Sequence, residues 1–392
     1  MTDGASEIAA ESLELLRGWR DDFVGLLHAL VAAESPSTVP EAQDGVRGEL
    51  AASLVSVGLE VEHVPGFRTG GHLVGRAPRE ARAQQLLVGH MDTVWPIGTL
   101  REMPIEVDGD VFKGPGSFDM KAGLAIGIFA LRALRERGVD PEVAPTFLIS
   151  SDEEIGSPES KELILDLAKA SVRALVLEPA LGTEGRIKTR RKGVGAFTIE
   201  VHGKSAHGGL APEEGASAIL ELASVIQRLQ AIADPERGIT VNVGVIEGGV
   251  RPNVVAANAR AQVDVRVWTR EDAERVEARV RALEPTVPGT RIEVKGYVGR
   301  APLERTERNA RLWESAYRIG GNLGLDLVEG SAGGGSDGNF TSAVTATLDG
   351  LGAVGDGAHA VHEFVFIDRA LERAALLAGL LALPSAVADP ER

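Results

Sequence analysis

Residues 86–96 read LLVGHMDTVWP. Leu86, Leu87 and Val88 make an apolar run suited to a short buried strand, and the run ends in His90 and Asp92. Residues i and i+2 of a strand share a face, so if the extended geometry lasts through Asp92 the imidazole and the carboxylate point the same way. An unpaired carboxylate at the end of a core strand is costly to bury. For this segment alone two readings stand open: a satisfied His–Asp hydrogen bond or turn, or a pair that holds something.

Around this strand the pattern alternates. Helices are predicted over 8–33 and 41–57, split by Ser35-Pro36-Ser37, followed by short strands at 59–64, 72–76 and 86–90. A helical pattern over 121–137 follows the Gly-Pro-Gly turn at 114–116. The strand TFLIS (146–150), a helix at 158–169 and the strand ALVLEP (174–179) come next. Strands alternating with helices of this length predict an α/β domain with a mainly parallel central sheet.

The texture changes near Arg190. The strand from 194, with GAFTIEVHG at 195–203, sets Phe197, Ile199 and Val201 on one face and Thr198 and Glu200 on the other, as in a sheet covered on one side. A helix at 214–232, strands at 239–247 and 259–268, a helix at 271–283 and a strand at 290–296 complete the order β-α-β-β-α-β, that of a ferredoxin-like module. The strand TATLDG, a Gly-rich loop and a last helix at 368–382 follow. The expected organisation is a larger domain from 1–193 and 303–392 with a smaller domain, 194–302, inserted in it.

The formal net charge of −16, with no long basic run, argues against a nucleic-acid partner. No stretch approaches the ~20 apolar residues of a membrane span, and the first residues lack a basic leader with an apolar core, so a cytoplasmic location is expected. The chain has no cysteine, which leaves His, Asp and Glu to hold any metal.

Ligands of an open α/β sheet bind beyond the C-terminal ends of its strands. His90 and Asp92 follow one strand, Asp152-Glu153-Glu154 another, and Glu178 a third. Asp119 precedes the long helix, and GDGAHAVHEF supplies His359, His362 and Glu363. Each has an ordinary explanation alone: Asp119 could cap a helix, and Glu153-Glu154 could be a solvated turn. Together, so many carboxylates and histidines at one sheet edge would repel unless cations sat among them. A His/carboxylate set suits Zn²⁺, with Co²⁺ or Mn²⁺ possible. One carboxylate bridging two ions, each flanked by a His and a Glu, would make a two-metal site. Adjacent side chains of a strict strand diverge, so Glu153 and Glu154 can both reach one site only past the strand's end; Glu154 could then be a ligand while Glu153 stays off the metal as general base.

The segments GHMDTVWPIGTL, GPGSFDMKAG, SSDEEIGS, LEP, GKSAHGG, RPNVVAANARAQVDVR, GGGSDG and HAVHEF, in this order, resemble the M20 family of zinc peptidases. Within it they are most similar to the glutamate carboxypeptidase (carboxypeptidase G2) group. The resemblance implies a dizinc catalytic domain with an inserted lid and dimerisation domain. His90, Asp119 and Glu178 would hold one Zn²⁺. Asp119 would bridge to the second, which also takes Glu154 and His359. Asp92 would orient His90, and Glu153 would be general base and then acid. A cis peptide is implied at Asp119-Met120. His207 would reach the active site of the other subunit of a homodimer and stabilise the oxyanion. Arg266 would bind the substrate carboxylate through its fork, with Asn253, Gly335 and Ser336 on the substrate side. Ser336 stands where the glutamate carboxypeptidases have Thr, and HAVHEF keeps the general family spacing rather than the group's; both bear on glutamate specificity.

The expected function is therefore hydrolysis of an amide bond N-terminal to a free carboxylate, releasing C-terminal glutamate or a similar amino acid from peptides or N-acyl amino acids. The alternatives are an aminoacylase of the acetylornithine or succinyl-diaminopimelate type and a metal-binding protein without catalysis. No phosphate-binding P-loop is present.

Overall fold

The computed structural model describes residues 3–78 and 83–387; the tail ADPER (388–392), expected to fray, lies outside them. Contacts divide the chain into two compact units. The larger holds the described residues up to Thr189, Arg305–Ser331 and those from Ser336 onward, and the smaller holds Arg190–Glu304 with Ala332–Gly335.

The larger unit is built on a six-stranded sheet in the order Glu60–Val64, His72–Arg76, Ala144–Ser150, Gln84–His90, Ser171–Val176, Ala346–Leu348. The last four strands run parallel, and the first two pair antiparallel. This split follows the sequence. Ala144–Ser150 is buried at every position and Gln84–His90 at all but its first, as parallel strands covered on both faces require. Glu60–Val64 carries Glu60, Glu62 and His63 and is half-exposed, which suits an edge.

The helix Ala122–Glu136 lies against this sheet with its first ten residues buried. Small residues permit that approach. A Cβ on Gly123 would fall 2.1 Å from the Leu177 carbonyl oxygen, and one on Gly89 would fall 2.6 Å from Leu124 Cδ2. The close seat brings the helix's N-terminal end, and Asp119 ahead of it, to the C-terminal ends of the strands. The helices Asp3–Gly18 and Ile367–Leu381 pack behind it and share its core.

Two elements differ from expectation. The helix predicted over 8–33 is two, Asp3–Gly18 and Arg20–Ala32, broken where Trp19 leaves helical geometry (φ −104, ψ 19). Trp19 instead packs edge-on to Phe129, 6.5 Å between centroids, beneath the Arg132 guanidinium. The Gly-rich stretch after the last parallel strand is a hairpin of Gly355–Asp356 and Phe364–Phe366, which joins Val111–Lys113 and Glu106–Asp108 in a four-stranded sheet. Strands this short carry no readable period.

In the smaller unit four antiparallel strands lie in the order Thr240–Gly248, Asn258–Val267, Gly193–His202, Arg291–Arg300. The helices Ala218–Gln230 and Arg270–Arg281 cover one face, burying Phe197, Ile199 and Val201 against Leu222, Val225, Val276 and Val280. Ser217 and Thr269 cap the two helices, accepting from the amides of Leu220 and Asp272. The sequence reading placed all of 303–392 in the larger domain. Ala332–Gly335 group with the smaller one because Ala332 accepts the Lys192 amide and Gly334 and Gly335 accept from Arg191 Nη1. Among the described residues no helix is long and apolar enough to cross a membrane.

Candidate metal centre

Three parallel strands deliver the acidic groups. Gln84–His90 ends on His90, Ala144–Ser150 gives way to a 3-10 turn at Glu153–Ile155, and Ser171–Val176 stops two residues before Glu178. The turn is the local break that Glu153 and Glu154 needed. Asp119 lies in the irregular turn Ser117–Lys121 before the long helix, where the Asp119–Met120 peptide is cis. His359 sits between the strands of the C-terminal hairpin at φ 60, a left-handed conformation that disfavours a non-glycine residue by about 1–2 kcal/mol. Strain of this kind concentrates at functional sites.

These residues converge as two three-donor sets that share Asp119. His90, Asp119 and Glu178 form one and Asp119, Glu154 and His359 the other, each with its donor atoms within 4.8 Å of one another. His90 Nε2 is 3.3 Å from Asp119 Oδ1 and 3.7 Å from Glu178 Oε1. His359 Nε2 is 3.5 Å from Asp119 Oδ2 and 3.1 Å from Glu154 Oε2. Glu153 belongs to neither set.

The donors fit divalent cations. Asp119 Oδ1 and Glu154 Oε1 are buried yet accept no hydrogen bond, a costly arrangement unless positive charge faces them. The proton equilibria point the same way. Burial pushes the Asp119 carboxyl up, but His359 and then His90 outweigh it and hold it below the usual carboxylate range. Asp119 and then Glu154 push His359 up to about 10. Burial pulls His90 down, yet Asp119 and Asp92 raise it well above the ordinary imidazole range. The cluster demands positive charge, which two cations held by N and O donors would supply. Residues His90, Asp119, Glu178, Glu154 and His359 would hold them.

A second tier fixes these donors. Asp92 is fully buried; Oδ1 accepts the amide of Glu153, and Oδ2 accepts the amide of Glu154 and the Ser37 hydroxyl. His90 Nδ1 lies 3.0 Å from the Asp92 carbonyl oxygen and 3.4 Å from Asp92 Oδ1. Asp92 thus orients His90 chiefly through its main chain, while its carboxylate clamps the turn bearing Glu153 and Glu154. Ser35 supports the same strand end by donating to the Met91 carbonyl. Lys121 is buried with Nζ on the Ala33 carbonyl; burial pulls it down to about 7 against the pull of Glu363, Glu34 and Asp92. Ser37, Lys121 and Glu363 are functional candidates that sequence reasoning left without a role.

The substrate-side candidates divide between the units. In the smaller, His207 is exposed, and its Nδ1 accepts the amides of Gly209 and Leu210, so the ring proton sits on Nε2. Asn253 lies beside it, its carbonyl accepting the Gly208 amide. Arg266 was expected to present a whole fork. Its Nε instead donates to both oxygens of Asp264, at 2.9 and 3.1 Å, because the two residues share a strand face. Gly335 accepts from Arg191 Nη1 through its carbonyl. Ser336 belongs to the larger unit and departs further from expectation. It is fully buried and its hydroxyl donates to Asp349. A third acidic cluster, Glu200, His202 and Glu293 in the smaller unit, already contains the Lys295 ammonium, 2.8 Å from Glu200 and 3.4 Å from Glu293.

A family model described as peptidase family M20/M25/M40 matches residues 86–383. Carboxypeptidase G2 of Pseudomonas sp. (strain RS-16) is 30% identical over 342 residues, covering 85% of this chain and 82% of that protein. Among solved structures, the aminopeptidase PepT from Bacillus cereus matches with a TM-score of 0.76 at 22% identity, covering 93% of this chain and 98% of that one. A dinuclear metal-binding M20 peptidase from Bacillus subtilis matches with a TM-score of 0.68 at 15% identity, covering 93% and 98%. At those identities the two structures speak to the fold.

Proposed function

The chain belongs to peptidase family M20/M25/M40 and is a metallopeptidase of that family, and from this premise we propose that it is a two-metal carboxypeptidase. Its substrate is an amide whose leaving amino acid carries a free carboxylate, glutamate or one like it, at the end of a small peptide or of an N-acyl amino acid. The observation that carries the reading is the pair of His/carboxylate sets sharing Asp119. When bound, two ions of the zinc type supply Lewis-acid chemistry, polarising a carbonyl and acidifying water.

The remaining chemistry rests on side chains. Glu153, held at its amide by Asp92 and outside both donor sets, takes a proton from the attacking water and later gives it to the leaving amine. The Nη groups of Arg266 bind the free carboxylate, with Asn253 and the Gly335 loop completing that side. His207 of the partner subunit donates from Nε2 to the oxyanion. A homodimer through the smaller unit is supported by its edge strand, Thr240–Gly248. Ile219, Leu220, Val245, Ile246 and Val250 are all exposed on or near that strand, with Ile219 packed on the Gly248–Gly249 backbone.

The inward turn of the Ser336 hydroxyl removes one side chain that could have read a glutamate γ-carboxylate. This keeps N-acyl amino acids of other kinds beside glutamate as substrates. The test is a panel of N-acyl-glutamates, dipeptides and N-acetyl amino acids on zinc-loaded enzyme. Turnover confined to substrates with a free carboxylate next to the scissile amide supports the reading, and equal turnover of their carboxamide analogues rejects it.

A further inference from the structure

The turn that carries Asp119 cannot satisfy its own backbone. Asp119 (φ −116, ψ 95) and Met120 (φ −132, ψ 35) leave helical geometry, and Gly116 is left-handed at φ 71. The amides of Gly116, Phe118 and Asp119 are therefore denied the carbonyls of a preceding helical turn. Orphaned buried donors of this kind cost about 1–3 kcal/mol each.

One side chain serves all three. Glu363 is 1% exposed. Its Oε1 accepts Phe118 N at 2.8 Å and Asp119 N at 3.0 Å, and its Oε2 accepts Gly116 N at 2.8 Å and Trp95 Nε1 at 2.9 Å. Four donors fill the four lone-pair positions of an ionised carboxylate. An amide side chain could accept on one side only and would face N–H groups with its own N–H₂ on the other. The three segments so joined each bear a candidate metal donor: Trp95 lies five residues after His90, the amides belong to the Asp119 turn, and His359 lies four residues before Glu363.

We infer that Glu363 is a positioning residue for Asp119, the carboxylate common to both donor sets, and that Trp95 orients Glu363. The inference rests on the two-metal reading above. The Glu363 carboxylate spends its hydrogen bonds on N–H groups of this chain; it acts by fixing the turn on which Asp119 is mounted, so its loss falls on metal binding before it falls on chemistry. Supporting contacts behind metal ligands are worth about 10- to 100-fold in affinity.

The test uses cobalt as the probe, on the full chain. Wild type, E363Q and W95F are stripped with EDTA, melted to compare metal-free folding, then titrated with Co²⁺ while the visible d–d spectrum is recorded. Two equivalents are expected in wild type. E363Q is expected to bind the weaker equivalent about 10- to 100-fold less tightly, with an altered d–d band, and E363D to recover part of both. W95F keeps every backbone contact and is expected to show a smaller loss in the same direction; it carries the test if E363Q does not fold. Wild-type cobalt affinity and spectrum in the folded variants, with only a lower melting temperature, would overturn the inference. Fewer than two equivalents in wild type would instead overturn the two-metal reading itself.

Discussion

The Ser37 hydroxyl donates to Asp92 Oδ2 at 2.6 Å, joining residues 55 apart in sequence at the floor of the metal centre. Both are buried. With the amides of Glu153 and Glu154 on the same carboxylate, this contact holds the proposed general base and a proposed metal donor in register with His90. Ser37→Ala is expected to destabilise the fold by about 1.5–3 kcal/mol, the loss of a hydrogen bond to a charged group. It should also lower kcat more than it raises KM at saturating zinc. Steady-state kinetics beside a thermal melt check this; a wild-type kcat in the folded variant would remove Ser37 from the account.

Glu153→Gln separates chemistry from metal binding. Glu153 stands outside both donor sets, so the variant should retain two zinc ions while kcat falls by about 100- to 10,000-fold. Metal content by elemental analysis and kcat on the same preparation decide it, and a loss of zinc in step with activity would recast Glu153 as a ligand.

Metal uptake should displace protons. His359 is pushed up to about 10, so its imidazole carries a proton at pH 7 in the metal-free protein, and Asp119 and Asp92 raise His90 in the same direction, whereas a ligating imidazole is neutral. Zinc binding at pH 7 should release protons, that of His359 among them, and affinity should weaken as pH falls. Calorimetry in buffers of different ionisation enthalpy counts them. The stability sign follows from the same raised values. In EDTA, the contribution of His359 is fully present below its unfolded value of 6.5 and is lost as pH rises through about 10, so the melting temperature should fall across that window. A metal-free melting temperature that rises there would contradict the assignment.

Action of His207 across subunits can be read by mixing. His207→Ala and Glu153→Gln are each expected to be nearly inactive. Co-refolded in equal amounts, they should regain roughly one quarter of wild-type activity, from one intact site in each mixed dimer. No regain would place His207 in its own subunit's site or outside the reaction. Ile246→Lys, on the exposed edge strand, should abolish the regain by producing monomers, as seen by light scattering.

The donors of the metal centre were legible because each follows an apolar strand or precedes a strongly patterned helix, and an α/β sheet gathers such positions at one edge. His90, Asp119, Glu154, Glu178 and His359 could be picked out singly and weighed together. The supports were not legible. Ser37, Lys121 and Glu363 make their contacts with segments about 50 to 250 residues away, so even Glu363, which the sequence sets beside His359, could be noted but not given a partner. For Arg266 and Ser336 the residue types were legible but not their contacts: Asp264 accepts from Arg266 Nε, and Asp349 accepts from the Ser336 hydroxyl. The ferredoxin-like order was readable because its strands run to nine or ten residues and the two central ones, Gly193–His202 and Asn258–Val267, alternate clearly. The hairpin around His359 was not, because its strands are two and three residues long.

The most direct test of the two-metal account is a zinc titration of metal-free enzyme followed by hydrolysis of an N-acyl-glutamate, with zinc bound per chain measured at each point. The account predicts that activity reaches its plateau at two zinc ions per chain and vanishes in EDTA. Full activity at one ion per chain, or activity that survives complete removal of metal, would contradict it.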